Sequence, residues 1–310
     1  MPVHALRTPD ERFDALPDWP YRPHYLQHGG LRMAYVDEGP RDAPETVLAL
    51  HGEPTWGYLY RHFIPELAGE HRFLAPDMIG FGRSDKLPRV GDHSFRLHLR
   101  WYERFVAALD LSGVTLVVQD WGGLLGLSLL ARHPERFRRV VILNTFLPVG
   151  RPLPAGFRAW QAFARWCPGV WTSALVRFAT ARPISRAVAA AYDAPFPDAS
   201  YMAGPRALPQ LVPGAPGDPG IAEMMHAREV LAAWTKPAFV LWAEGDPVLG
   251  RRHRFFADLI PSIRDEPRHV VARASHFLQE DAGAEIAGRI SEFIQATSSV
   301  GNPTGAPAVT

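Results

Sequence analysis

Leu116-Val117-Val118-Gln119-Asp120-Trp121-Gly122-Gly123 is the segment from which the rest of the chain can be read. An apolar run, Val114 to Val118, gives way to one acid. Two glycines and a helix-like pattern follow, from Leu124 to His133. This is the layout of a nucleophile elbow: a buried strand ends, the chain turns sharply, and the turn residue stands exposed at a helix N-terminus. Where a serine would need a base to attack, Asp120 would not. An aspartate has an unperturbed pKa of about 3.9 and is ionised at neutral pH. It can displace a leaving group from saturated carbon, leaving an ester that a second step must hydrolyse. The competing reading makes Asp120 only the N-cap of the next helix.

On either side of this segment, strands and helices alternate. Leu31–Asp37, Thr46–Leu50, Phe73–Pro76, Val140–Leu143, Ala238–Trp242 and a stretch near Val270 read as strands. Tyr58–Ala68, His93–Leu109, Arg251–Leu259 and Ala282–Ala296 read as helices. The expected fold is α/β, with a mostly parallel central sheet and helices on both faces. Between Pro148 and about Pro219 strand-like runs vanish, prolines become frequent and Trp160, Trp166 and Trp171 appear. The expectation is a core domain from 1–147 and 220–296, a helical cap inserted over 148–219, and a disordered tail over 297–310. Residues 1–25 are expected to wrap the surface.

Composition narrows the class. The 310 residues are 47% hydrophobic and 21% charged, with a formal net charge of +1. That is an ordinary globular composition, with nothing to suggest nucleic acid or an anionic membrane as partner. The single cysteine, Cys167, excludes an intrachain disulfide and points to the cytoplasm. No apolar run is long enough to span a bilayer. No His, Cys or carboxylate cluster has convincing metal-ligand spacing, so neither metal nor cofactor is expected.

A nucleophile, an acid after a later strand and a histidine near the end follow the chain order of the α/β-hydrolase fold. Asp120, Asp246 and His276 fit it. His276 would activate water against the ester, and Asp246 would fix its tautomer. Glu244 competes for the acid role, and Asp246 could be simply a turn residue in Gly245-Asp246-Pro247. The oxyanion hole would use the backbone N–H groups of Trp121 and of Glu53, in the loop His51-Gly52-Glu53-Pro54.

These residues, with Arg7-Thr8-Pro9-Asp10, His51 to Trp56, Gly156 to Trp160, Ala194 to Asp198 and Ala274 to Glu280, resemble the haloalkane dehalogenases. The resemblance covers roughly residues 5–295 and is closest to the subgroup whose acid follows the later strand. A sister subgroup places its acid where this chain has Asn144.

The resemblance implies Asp120 as nucleophile, His276 as base and Asp246 as orienting acid. Trp121 and Trp160 would bind the halide through their indole N–H groups, and Glu53 and Trp121 would form the oxyanion hole. Leu124, Phe157, Leu208, Val212, Val248 and Leu249 would line an apolar pocket. The implied partners are a small halogenated alkane, water and the product halide, with the chain acting as a monomer. Composition alone would make Trp160 a cap core residue, as Trp166 and Trp171 are expected to be.

Three other readings compete. An epoxide hydrolase would need cap tyrosines, and Tyr192 and Tyr201 are available. A haloacetate dehalogenase would want an arginine where Trp121 stands. A non-catalytic relative would not need an intact Asp120, Asp246 and His276 set.

Overall fold

The computed structural model describes residues 4–250, 252–263 and 269–298. In chain order, β1 (His24–His28), β2 (Leu31–Glu38) and β3 (Thr46–Leu50) precede α1 (Ile64–Leu67) and β4 (Arg72–Pro76). Then come α2 (Phe95–Ala108), β5 (Val114–Gln119), α3 (Trp121–Arg132) and β6 (Phe137–Leu143). Four helices follow without a strand between them: α4 (Ala155–Trp166), α5 (Thr172–Phe178), α6 (Arg186–Asp193) and α7 (Ala203–Gln210). The chain closes with α8 (Ile221–Ala232), β7 (Ala238–Ala243), α9 (His253–Leu259), β8 (Val270–Val271) and α10 (Leu278–Thr297).

Among the described residues, eight strands form one sheet in the order β1-β2-β4-β3-β5-β6-β7-β8. Only the β1–β2 and β2–β4 pairs are antiparallel. Every residue of β5 is buried, as expected of a central parallel strand covered on both faces. Because side chains alternate along a strand, Val114, Leu116 and Val118 join the apolar layer that includes residues of α2, α3 and α8. Val117 joins the opposite layer, with residues of α1 and α10. Helix α3 is buried along almost its whole length, so it carries apolar residues all round rather than on one stripe. Ser94 starts α2 by accepting from the Leu97 N–H at 3.2 Å, and Ser185 starts α6 through the Val188 N–H at 3.1 Å.

The strand expectations hold to within a few residues, but other expectations change. The stretch Tyr58–Ala68 is a 3-10 turn over Gly57–Tyr60 and then the single-turn α1. Pro65 lacks an N–H and fits only the first turn of a helix, so it breaks the run. The stretch 1–25 expected to wrap the surface runs at its end into the half-exposed edge strand β1 (His24–His28), which the sequence reading did not assign. Helix α10 begins at Leu278 rather than Ala282, and its backbone breaks at Ala282 (φ −145°, ψ 35°). Trp171 is buried, but Trp166 is 74% exposed and is not a core residue. The tail expectation lies almost wholly outside the described residues. No helix among the described residues is long and apolar enough to cross a membrane.

Candidate active site

Asp120 occupies the turn between β5 and α3 with φ 48° and ψ −122°. An L-residue is strained there and must be held from outside. The Asp120 N–H donates to the Asn144 carbonyl at 3.1 Å, and Thr145 Oγ1 donates to the Asp120 carbonyl at 2.7 Å. Close packing completes the turn. A Cβ on Gly122 would lie 2.0 Å from the Leu50 carbonyl oxygen, and one on Gly52 would lie 2.4 Å from Asp120 Oδ1. The Asp120 side chain makes no capping hydrogen bond to α3, so the N-cap reading fails.

The carboxylate is held at both oxygens. Oδ1 accepts from the Glu53 N–H at 2.8 Å, and Oδ2 lies 3.5 Å from His276 Nε2. Trp121 opens α3, and a helix leaves the first backbone N–H groups without an intrahelical partner. The loop carrying Glu53 is fixed by His51. Its Nδ1 faces the Gly52 carbonyl at 2.9 Å and must donate, so Nε2 accepts from the Met78 N–H, also at 2.9 Å. Burial pushes the His51 pKa down to about 4, which keeps that ring neutral. The Glu53 carboxyl is itself buried. Burial first, and then the Asp120 charge, raises its pKa well above the ordinary value, while His276 opposes. Glu53 Oε1 has no partner among the described residues.

His276 Nδ1 lies 3.0 Å from Asp246 Oδ2, and the other Asp246 oxygen accepts from the Val248 and Leu249 N–H groups at 2.7 and 3.0 Å. Nδ1 therefore donates, and Nε2 is left facing Asp120. Burial tends to raise the Asp246 pKa, but the His276 charge and these hydrogen bonds hold it below the ordinary carboxylate value. For His276, burial tends to lower the pKa. The Asp246 charge, hydrogen bonds to Asp120 and Asp246, and the Asp120 charge together raise it to about 10. Glu244 is exposed, with only its backbone drawn toward β8.

Two amides that the sequence reading did not assign hold the histidine loop. Asn144 Nδ2 donates to the carbonyls of Ser275 and His276 at 3.1 and 3.2 Å, and its Oδ1 accepts from the Ala243 N–H. Gln119 Nε2 donates to the His276 carbonyl at 3.2 Å and lies 3.3 Å from His276 Nε2. A buried amide at the end of an otherwise apolar strand was the available signal for Gln119.

Among the aromatic and apolar candidates, Trp121, Leu124 and Leu208 are buried in one cluster. Trp160, Val212 and Leu249 pack against it. Phe157 and Val248 are not part of that cluster, and Val248 is 45% exposed. The Trp121 and Trp160 indole N–H groups have no acceptor among the described residues. Tyr192 and Tyr201 are both engaged elsewhere. Tyr192 donates its hydroxyl to Glu280, and Tyr201 donates to the Arg7 carbonyl at 3.4 Å.

Comparison with known proteins extends this picture. The family described as alpha/beta hydrolase fold matches residues 45–283. A haloalkane dehalogenase of Mycolicibacterium paratuberculosis is 48% identical over 301 residues, covering 95% of this chain and 99% of that protein. One from Psychrobacter cryohalolentis is 45% identical, covering 94% and 98%. Among solved structures, a tetrameric haloalkane dehalogenase from Paraglaciecola agarilytica superposes with a TM-score of 0.86 at 36% identity. That alignment covers 93% of this chain and 97% of the other.

Proposed function

The chain belongs to the haloalkane dehalogenases, enzymes of the α/β-hydrolase fold, and we propose that it cleaves haloalkanes to an alcohol, a halide and a proton by the route that follows. Asp120 Oδ2, the oxygen not engaged by the Glu53 N–H, attacks the carbon bearing the halogen. The carbon–halogen bond breaks, its electron pair leaves with the halide, and an alkyl ester forms on Asp120. The halide is received by the indole N–H groups of Trp121 and Trp160, donors without an acceptor on apolar bodies that keep competing water away.

His276 then takes a proton from water, which attacks the ester carbonyl. The oxyanion that develops is held by the N–H groups of Glu53 and Trp121. Collapse releases the alcohol, restores the carboxylate, and leaves a proton on His276 to pass to solvent. Asp246 fixes the ring and balances its charge. No cofactor enters any step.

One observation carries this reading. A carboxylate stands at a strained elbow, with an N–H donor on one oxygen and a histidine–aspartate pair 3.5 Å from the other. The helices over residues 148–219 serve as the cap, and the segments 1–147 and 220–296 as the core. Leu124, Leu208, Val212 and Leu249 line the substrate pocket, with Phe157 and Val248 toward its margin. The complete catalytic set on one chain supports a monomeric working unit, which sedimentation would test against the tetramer of a relative. A single cysteine supports a cytoplasmic location.

The test is a parallel assay of a bromoalkane, an epoxide and a haloacetate. Halide release from the bromoalkane alone is expected. Turnover of the epoxide, or of none of the three, would sink the assignment. The engagement of the Tyr192 and Tyr201 hydroxyls argues against epoxide opening.

A further inference from the structure

The loop carrying His276 is held from two sides. On the core side it is gripped by Asn144 and Gln119. On the other side it meets residues 179–182, which connect α5 and α6 in the helical insertion. There the Phe277 N–H donates to the Ala179 carbonyl at 3.2 Å.

The main tie is a carboxylate. Asp281 is 2% exposed. Its Oδ1 accepts from the N–H groups of Ala181 and Arg182 at 2.9 and 2.8 Å. Its Oδ2 accepts from Ala181 at 2.9 Å and from Ser275, the residue before His276, at 2.8 Å. The neighbouring acid makes a second tie. Glu280 is buried against Arg61 of the core and accepts the Tyr192 hydroxyl from α6. The backbone break at Ala282 separates this acid pair from the rest of α10 and sets it on one turn directly after the histidine loop.

We propose that Asp281, supported by Glu280, is a positioning residue that couples the cap to the catalytic base, so that cap docking sets where His276 stands. The inference rests on the dehalogenase reading and deepens it. Two oxygens are needed because one faces the cap and the other reaches both the cap and the histidine loop. Among the described residues neither Asp120 nor Glu53 bonds to Asp281 or Glu280, so loosening the Asp281 tie displaces the base and spares the nucleophile. The consequence falls on ester hydrolysis, the step that needs the base, and not on alkylation.

The substitution that isolates this is Asp281→Asn. Its size is unchanged, but the NH2 must face a backbone donor in either orientation: the Arg182 and Ala181 N–H groups of the insertion at the Oδ1 position, or those of Ser275 and Ala181 at the Oδ2 position. A misplacement of about 1 Å can cost a hundredfold in rate. The expected result is ester hydrolysis slowed about ten- to a hundredfold, with the burst of bromide release and bromide affinity within about threefold of the parent. The alkyl ester should build up to a level visible by intact-mass spectrometry of quenched turnover.

Tyr192→Phe, which removes one hydroxyl and leaves the backbone intact, should shift the balance the same way by a smaller factor. It carries the test if Asp281→Asn does not fold. Alkylation and hydrolysis falling in proportion, or neither changing, would show a merely structural contact and overturn the proposal. An enzyme that forms no ester even as His276→Gln would remove the dehalogenase reading and this proposal together. An ester in His276→Gln with unchanged step ratios in the other two variants would remove this proposal alone.

Discussion

Replacing Trp160 by Phe should weaken halide binding and slow carbon–halogen cleavage. The structure makes the substitution selective. Trp160 is stacked on Phe163 with centroids 5.6 Å apart, and Trp171 meets it edge-on at 5.2 Å. A phenyl ring keeps most of both contacts and loses the N–H, which has no other acceptor among the described residues. A hydrogen bond to a charged partner contributes about 1.5–3 kcal/mol. With 1.36 kcal/mol of barrier to each factor of ten, alkylation should slow about ten- to a hundredfold.

The assay is single-turnover bromide release together with bromide quenching of tryptophan fluorescence. Trp166→Phe is the control, because that residue is 74% exposed, with Arg165 over its ring. Trp171→Phe is not a neutral control. It touches Trp160, and its own buried N–H has no partner among the described residues, so a small change in halide binding without loss of stability is expected. If Trp160→Phe matches the parent in both measurements, or Trp166→Phe falls as far, Trp160 is a packing residue.

Other outcomes follow from the same geometry. His276→Gln should release one halide per enzyme and stall as the alkyl ester on Asp120, and an intact-mass spectrum without that adduct, in protein that still binds halide, would refute the division into two steps. Gly52→Ala should abolish halide release while leaving much of the fold intact, since its Cβ would sit 2.4 Å from Asp120 Cβ and Oδ1; a variant with more than about a tenth of parent activity counts against the placement of the carboxylate. Stability should fall in acid through the stacked, buried His93–His98 pair, both rings having pKa values lowered chiefly by burial, His93 to about 4. The folded rings stay neutral while the unfolded ones protonate near 6.5, so this contribution is whole above pH 6.5 and is lost as pH falls through 4, at about 3 kcal/mol for His93. Urea melts from pH 7.5 to 4.5 should show a flatter dependence for His93→Gln, and an unchanged slope would contradict the assignment.

What the sequence disclosed and what it hid divide by the range of the interaction. Strand β5, the elbow and α3 were legible because they are local: an apolar run, one acid and glycines in adjacent positions. Asp246 was legible only as one of two acids near a strand end. The choice over Glu244 depends on a loop from thirty residues later arriving at the same point. Edge strand β1 was hidden because its half-exposed residues His24–His28 lack alternation. Asn144, Gln119 and Asp281 were hidden for a different reason. Their partners are backbone groups of distant segments, and a backbone N–H or carbonyl leaves no trace in residue identity. The exposure of Trp166 beside the burial of Trp171 depends on the registers of two short helices, which composition does not fix.

On the proposed route, the arrangement of charge lets one histidine serve a site whose first step needs no base. Before reaction, two carboxylates face His276, and they raise its pKa against the effect of burial. A protonated ring is no obstacle to alkylation, because Asp120 attacks as an anion. Alkylation converts Asp120 to a neutral ester and transfers its charge to the halide. The Asp120 charge and its hydrogen bond to Nε2 are then gone, and only Asp246 still supports the protonated ring. The His276 pKa must fall, so the base form becomes more available once there is an ester to hydrolyse. Glu53 responds in the same sense. Its pKa is raised chiefly by burial and then by the Asp120 charge, so the ester removes one of the two raising influences. On that route the charge of Asp120 sets the order of the two steps, and the indole N–H groups of Trp121 and Trp160 would receive the charge that leaves it.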